Sequence, residues 1–257
     1  MIGLGVATDA LVTEGIVRRT REDDRIVLET PSRRDFWFGH GFVLDAPPDT
    51  ARVASLVEEG RARFGALGAS RFVVQWERAL DMPDALPQAP AGTVFERTVM
   101  MVYDGPVPSA DPRVADHDGV VQWDEAVALA AEHYPEHGDF TSWRFACVRE
   151  AVAAGRTRVV GIREHGRLLN TVGLCLGDGI ARFFTPVTRP AERGRGLFGA
   201  CARTLIAWAN ADAPRRAVIA ADPDDTPVTL YRRLGFVAAS YLDAVIVPVS
   251  RTGLSDG

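Results

Sequence analysis

The sequence predicts an α/β protein in which a mixed, mostly antiparallel sheet is flanked by helices and the chain forms two tandem domains. Three observations lead to this fold class. Strand-like apolar runs alternate with segments of helical periodicity, 47% of the 257 residues are hydrophobic, and one Pro-, Gly- and Asp-rich stretch divides the chain. A chain of this length is long enough for two modest hydrophobic cores.

The first half of the chain has the pattern of a mixed α and β domain. Its strand-like runs, rich in β-branched and aromatic residues, lie at residues 25–30, 36–44, 71–76 and 94–103. Between the second and third runs, Val53, Leu56, Val57 and Phe64 share one face of a predicted helix at residues 51–66.

A linker is predicted where the chain reads "DGPVPSADPRVADHDG" at residues 104–119, because this stretch has turn residues but no apolar periodicity. We therefore predict an N-terminal domain at residues 1–105, a linker at 106–119 and a C-terminal domain at 120–257.

The second half has a longer series of alternating elements. In order, we predict helices at 123–134 and 140–154, strands at 157–164, 168–176 and 180–187, a helix at 196–211, a strand at 216–221, a short helix at 226–233 and paired strands at 235–248. The runs at 92–104 and 235–249 both place Gly before a long β-branched segment. This echo favours a tandem repeat of one fold.

Composition excludes several classes of function. The formal net charge of −5 argues against nucleic acid as a partner, since that grip needs clustered basic charge, and it suits a cationic or neutral small molecule. All 29 basic residues are arginine, so Schiff-base and pyridoxal-type chemistry is excluded for want of a lysine amine.

Location is also predicted from simple features of the sequence. The N-terminus lacks the basic region of a signal peptide, and no apolar run approaches the roughly 20 residues that span a bilayer. Cys147, Cys175 and Cys201 are odd in number and lie in apolar runs, which favours reduced thiols. We expect a soluble cytoplasmic protein with no membrane partner.

A glycine-rich stretch, "ERGRGLFG" at residues 192–199, opens the predicted helix at 196–211. The first N–H groups of a helix lack partners and the helix dipole adds positive charge, so Gly194 and Gly196 would let an anion such as a diphosphate come close. The alternative is a plain strand-to-helix turn with solvated arginines. The Walker pattern needs a lysine, and the dinucleotide fingerprint needs a βαβ context, so neither fits.

A second motif lies about 35 residues further on, where Tyr231-Arg232-Arg233-Leu234-Gly235-Phe236 follows a predicted helix start. With Arg193-Gly194-Arg195-Gly196-Leu197-Phe198, it resembles the GNAT superfamily of acyl-CoA-dependent N-acyltransferases. The resemblance covers roughly residues 120–250 and departs from the family pattern at Phe198, where a small residue is usual. The first half is similar only in outline, which implies a tandem-GNAT protein with a degenerate N-terminal half that binds no cofactor.

The resemblance implies that acetyl-CoA is the co-substrate and lies in a cleft where strands 180–187 and 216–221 splay apart. Backbone groups of two segments would hold its pantetheine and diphosphate: Val187, Arg193, Gly194, Arg195, Gly196, Leu197, Phe198 and Gly199. Arg193 and Arg195 would add charged contacts, or else remain solvated. We expect the Phe198 side chain to point into the core, because the backbone makes the phosphate contact.

Tyr231 matches the family tyrosine that protonates the departing thiolate, and its ordinary pKa of about 10 suits that role. The alternative is a buried aromatic with a structural hydrogen bond. Asp222 and Asp224 are the nearest candidates for the base that takes the amine proton; both could instead cap the helix at 226–233, leaving a water chain as base.

The resemblance therefore implies an N-acetyltransferase that transfers the acyl group directly to the amine of a small-molecule acceptor. The alternative is a non-catalytic acyl-CoA-binding or sensing module. No metal site is expected, because the histidines lack ligand spacing, and a homodimer is left open as the assembly.

Overall fold

The fold is described from a computed structural model, which covers residues 3–83, 86–116, 120–133 and 139–249. The first half contains α1 (Leu4–Val12), β1 (Arg18–Glu22), β2 (Arg25–Glu29), β3 (Gly41–Leu44), α2 (Thr50–Ala66), β4 (Arg71–Ala79) and β5 (Val94–Tyr103). The second half begins with β6 (Val114–Asp116), α3 (Val120–His133), α4 (Asp139–Ala153), β7 (Thr157–Glu164) and β8 (Arg167–Leu176). It ends with β9 (Ile180–Thr188), α5 (Leu197–Ala209), β10 (Arg216–Ala221), α6 (Thr226–Arg233) and β11 (Phe236–Pro248).

Two compact units are present. Unit 1 consists of the described residues of Met1–Met100, Ala221–Val228 and Ala238–Gly257, and unit 2 of those of Met101–Ala220 and Thr229–Val237. Most of β11 thus lies in unit 1, although it comes from the second half of the chain. The predicted domain boundaries divide the chain into two consecutive repeats, whereas these units are defined by contacts in space. The division into repeats stays a prediction.

The sheet of unit 1 has the strand order β1-β2-β3-β4-β11-β5. From β1 to β11 the neighbours are antiparallel except β3 and β4, which pair in parallel over Gly41–Leu44 and Val73–Trp76. The face of α2 predicted from its apolar periodicity is buried against this sheet, where Phe64 packs on Phe42 and Phe72 at centroid distances of 5.2 and 5.0 Å. Burial of these rings contributes to the hydrophobic core of unit 1.

The sheet of unit 2 has the order β10-β9-β8-β7-β6, in which β9 and β10 are parallel and the other neighbours antiparallel. The helices α3 and α4 pack together through Trp123 and Phe145, whose ring centroids lie 5.7 Å apart. The long helix α5 contributes ten buried residues, Cys201 and Leu205 among them. The prediction of a mixed, mostly antiparallel sheet flanked by helices is confirmed.

The same order of elements occurs in both units. Three antiparallel strands (β1, β2, β3) are followed by α2 and by a strand parallel to β3 in unit 1, and β7, β8 and β9 are followed by α5 and by a strand parallel to β9 in unit 2. This shared order is what a duplication predicts, and the duplication itself stays a prediction.

Four sequence-based element predictions need correction. Residues 36–44 form a short 3-10 helix at Trp37–Gly39 before β3, not one strand, and 235–248 is a single strand, not a pair. The predicted linker contains β6, which pairs with β7. The first half also contains α1 and β1, which the apolar patterns did not predict.

Candidate active site

The central feature of unit 2 is a β-bulge in β9. Phe184 pairs with Gly173 and Val187 with Thr171, so Thr185 and Pro186 stand opposite a single residue of β8. Thr185 has a φ of 46°, in the left-handed region. A bulge of this kind bends a strand and redirects the backbone beyond it, which sets the direction of β9 at Val187, one of the predicted CoA-binding residues.

The neighbouring strand β10 accompanies β9 for only part of its length. Their parallel pairing covers Ile180–Arg182 with Arg216–Val218, whereas β9 runs on to Thr188. Both strands lie in the described part of the chain. In an open sheet, ligands usually bind beyond the carboxyl ends of parallel strands, where two neighbouring strands no longer pair. The predicted cleft requires this arrangement.

The glycine-rich loop connects β9 to α5. A 3-10 helix at Pro190–Glu192 leads into Arg193, and the backbone then turns at Gly194 and Gly196, whose φ angles are 80° and 73°. L-residues rarely adopt such angles, so the loop depends on glycine at both positions. A Cβ at either glycine would meet nothing within 4 Å, so both lie next to open space.

Gly196 is also the N-cap residue of α5 and offers no side chain to satisfy the first turn. The amides of Leu197, Phe198 and Gly199 precede the first residue that can bond back into the helix, which is Ala200 with its N–H donating to the Gly196 carbonyl at 3.1 Å. Free first-turn amides and the helix dipole favour an anion here. The loop therefore has the backbone chemistry of a phosphate cradle.

The two arginines of the loop differ in their surroundings. Arg195 is paired with carboxylates: Nη2 donates to both oxygens of Glu164 at 2.7 and 2.8 Å, and Nη1 donates to Glu192 at 2.5 Å. Arg193 is exposed, and its guanidinium makes no hydrogen bond or ion pair with another described residue. As the loop stands, Arg193 is the more available cation.

Tyr231 lies in an aromatic cluster at the start of α5. Its ring centroid is 5.3 Å from that of Phe198 and 6.1 Å from that of Phe236, and Phe183 of β9 packs 5.9 Å from Phe236. Phe198 is 9% exposed and Tyr231 5% exposed. The expected inward orientation of Phe198 is confirmed, and the residue that departs from the family pattern packs directly on the candidate acid.

Local sequence explains why α6 presents Tyr231 at this place. Gly235, with a φ of 95°, ends the helix in a left-handed conformation, and its N–H donates to the carbonyl of Arg232 at 3.1 Å. Gly199 lets α5 approach closely, since a Cβ there would lie 3.0 Å from Leu234. The glycines of the two motifs thus fix the end of α6 against the start of α5.

The candidate bases Asp222 and Asp224 lie in the turn before α6 and are exposed. Asp222 Oδ1 accepts the Asp224 N–H at 2.9 Å, and Asp225 Oδ1 accepts the Thr226 N–H at 2.6 Å. Asp225, not the two predicted residues, therefore contacts the first residue of the helix. Asp222 stabilises the turn instead.

Sequence reasoning did not single out Glu96 on β5. Burial of its carboxyl and the nearby charge of Asp222 raise the pKa of Glu96 above its ordinary value, although the residue as a whole is exposed. Both residues belong to unit 1. A carboxylate inside the strand-like run at 94–103 was the available signal, and its proximity to Asp222 was not visible in the sequence.

The corresponding loop of unit 1 has the opposite character. After β3 comes Asp45, and Asp49 caps α2 by accepting the Arg52 N–H at 2.7 Å. A carboxylate therefore already occupies the helix N-terminus, where an anion would bind in unit 2.

Two features are absent among the described residues. These residues contain no group of three or more His, Cys, Asp or Glu side chains placed to hold a metal ion. None of their helices combines the length and the apolar character needed to cross a membrane.

The order of elements in unit 2, with a bulged strand, a glycine loop, a long helix, a parallel strand and a short helix, is that of the GNAT fold. Solved structures with this fold match most of the chain. A GCN5-related N-acetyltransferase from Kribbella flavida has a TM-score of 0.63 at 19% identity, with 95% of this chain and 94% of that chain covered.

Two further structures match over a similar length. A GCN5-related N-acetyltransferase from Sphaerobacter thermophilus has a TM-score of 0.59 at 13% identity, covering 95% of this chain and 85% of that one. A functionally unknown conserved protein from Staphylococcus epidermidis has a TM-score of 0.68 at 11% identity, covering 91% and 95%. No protein-family model matches the sequence, and no curated protein sequence matches it either. The chain therefore has the GNAT fold.

Proposed function

We propose that this protein is an acyl-CoA-dependent N-acyltransferase that transfers an acetyl group from acetyl-CoA to the amine of a small molecule. One observation carries the proposal: the uncapped first turn of α5, opened by Gly194 and Gly196, begins beside the bulged strand β9. Free amides at that turn suit the diphosphate of CoA, and the end of β9 beyond its pairing with β10 suits the pantetheine arm.

The reaction would proceed by direct attack. The neutral amine adds to the thioester carbonyl carbon, the C–S bond breaks, and the departing thiolate takes a proton from the Tyr231 hydroxyl. Packing of Tyr231 on Phe198 and Phe236 supports a fixed position for this hydroxyl. The amine's proton goes to a base; Asp222, directly after β10, is our first candidate and Asp224 the second.

The overall charge of the protein also bears on the acceptor. A net charge of −5 favours the approach of a cationic amine over an anionic one. We propose a small-molecule amine as the acceptor. The degenerate N-terminal half is proposed to support the fold without binding CoA.

A second candidate function is a non-catalytic acyl-CoA-binding module. The observation in its favour is that Asp222 holds the turn before α6 and that Asp222 and Asp224 are exposed. An exposed carboxylate engaged in a turn is a weak base for an amine.

The decisive experiment measures free thiol released from acetyl-CoA in the presence of a panel of primary amines. Thiol release by the native protein that falls at least tenfold in Tyr231→Phe supports the enzyme. The matched control is Tyr103→Phe. The Tyr103 ring belongs to the same aromatic cluster, where it packs on Phe236, and its hydroxyl donates to the Pro106 carbonyl at 2.9 Å. This variant should keep its activity. Tight CoA binding without release on any amine would favour the binding module.

A further inference from the structure

The glycine-rich loop contains a feature that neither motif predicts: one of its two arginines, Arg195, is already paired with two carboxylates. Arg195 contacts Glu192 from the same loop and Glu164 from the end of β7. With Arg193, these four side chains sum to zero charge. A cradle for a diphosphate group is therefore electrically neutral before the ligand arrives.

The geometry of the Arg195 contacts matters for any phosphate. A guanidinium binds a phosphate best through two parallel N–H groups, and in this loop both terminal nitrogens of Arg195 point at carboxylates. The edge formed by the two terminal nitrogens of Arg195 opens to the diphosphate only when the contact with Glu164, as well as that with Glu192, gives way. We propose that Glu164 sets the affinity for CoA by competing with the diphosphate for the guanidinium of Arg195. This inference rests on the proposed CoA site.

Glu164, rather than Glu192, is the residue that competes. Glu192 stands three positions before Arg195, in the short 3-10 helix, and would move with the loop. Glu164 is fixed by the sheet, since it pairs with Arg167 in the β7–β8 ladder. Both of its carboxylate oxygens accept from one nitrogen of Arg195, Nη2, so the contact is a charge-assisted one.

The charge of Glu164 persists under ordinary conditions. Arg195 first, then His165 and Arg113, hold the pKa of the Glu164 carboxyl below its ordinary value. The competing anion is therefore present throughout the neutral pH range. The pair is partly exposed, with side-chain exposures of 42% for Arg195 and 37% for Glu164, so a phosphate can displace the carboxylate at modest cost.

The test is a set of calorimetric titrations with CoA on the full chain. Glu164→Gln should bind CoA about two- to fivefold more tightly than the native protein, the range expected for release of one exposed ion pair. It should leave the affinity for pantetheine, which has no phosphate, unchanged. Its CoA affinity should also fall more steeply with salt, because a freed arginine then contacts phosphate.

Two further variants complete the experiment. Glu58→Gln makes the same change in net charge at an exposed ion pair with Arg61 in α2, and it should leave CoA binding unaltered. In an Arg195→Gln background, the gain from Glu164→Gln should shrink, because no guanidinium remains to be released. Thermal melts of all variants should agree within a few degrees, because the pair is exposed.

The outcomes separate the two claims. If the native protein binds CoA and Glu164→Gln does not tighten it, or tightens it equally without Arg195, the competition is wrong and the CoA site stands. If no variant binds CoA, the proposed function fails as well. Acyl transfer is not needed for either reading, so the inference holds equally for an enzyme and for a binding module.

Discussion

Gly196→Ala tests the cradle most directly, because its effect on stability can be calculated apart from its effect on binding. The φ of Gly196 is 73°, and a Cβ there would meet no atom within 4 Å. The substitution therefore introduces no clash and costs only the left-handed backbone energy, about 1–2 kcal/mol for a residue with a Cβ. For a chain of this size, that corresponds to a drop in Tm of roughly 2–8 °C.

Binding should suffer more than stability. An alanine that relaxes toward a negative φ would turn the first amides of α5 away from the ligand. Loss of one hydrogen bond to a charged group costs about 1.5–3 kcal/mol, so the CoA dissociation constant should rise roughly ten- to hundredfold. Calorimetry measures this constant, and a thermal melt of the same sample measures the stability.

The matched control is Gly155→Ala. Gly155 lies between α4 and β7, has the same φ of 73°, and is equally free of neighbours within 4 Å. It should show the same drop in Tm and normal CoA affinity. Equal CoA affinities in the two variants would refute the assignment of the α5 amides as the phosphate site.

Three further predictions concern buried ionisable groups. Burial lowers the pKa of His40, so the unfolded chain binds the proton more readily than the folded one. The free energy of unfolding, measured in urea, should therefore fall as the pH drops below about 6.5, and His40→Gln should flatten this dependence. Burial raises the pKa of the Cys201 thiol to about 11; a disulfide reagent at pH 8 should modify it only after unfolding, and reaction of the folded protein would contradict this. Asp243 is fully buried between Arg78 and Arg97, so Asp243→Asn should lower the free energy of unfolding in urea by about 3–5 kcal/mol. The control is Asp45→Asn, at an exposed pair with Arg21, which should lower it by less than about 1 kcal/mol.

The elements that the sequence predicted best are those whose signals are local. Strands 94–103, 157–164 and 216–221 and the helix at 226–233 agree with β5, β7, β10 and α6 at both ends. Each has a run of β-branched residues between turn residues, or a proline near the start of a helix. A long apolar run that ends at turn residues can be recognised in the sequence without knowing which strand it pairs with.

The elements that were missed depend on distant residues. Helix α1 has no side-chain cap of its own, and its Gly5 N–H donates instead to Glu77 of β4 at 2.8 Å. Strand β1 reads "RRTRE" and has no apolar alternation, because it lies at an edge of the sheet, where charged side chains are favoured. In residues 36–44, Gly39 packs so closely on Thr30 and Phe36 that the chain turns there before β3 begins.

The candidate site shows the same division. The two glycine motifs predicted the loop, the helix start and Tyr231, whose features are local. The contact of Arg195 with Glu164 and the neighbour of Asp222 were not predictable, because Glu164 lies 31 residues from Arg195 and Glu96 comes from the first half of the chain. Charge pairing across elements leaves no periodic signal in a single sequence.

The pairing of β4 with β11 has a consequence for synthesis. Nine residue pairs join the two strands, and the Arg78–Asp243 contact within them links positions 165 residues apart. During translation β4 emerges long before β11, so the edge of β4 that β11 covers stays open until β11 leaves the ribosome. A nascent chain halted before residue 236 would present that edge to other chains, and we expect it to aggregate or to recruit a chaperone.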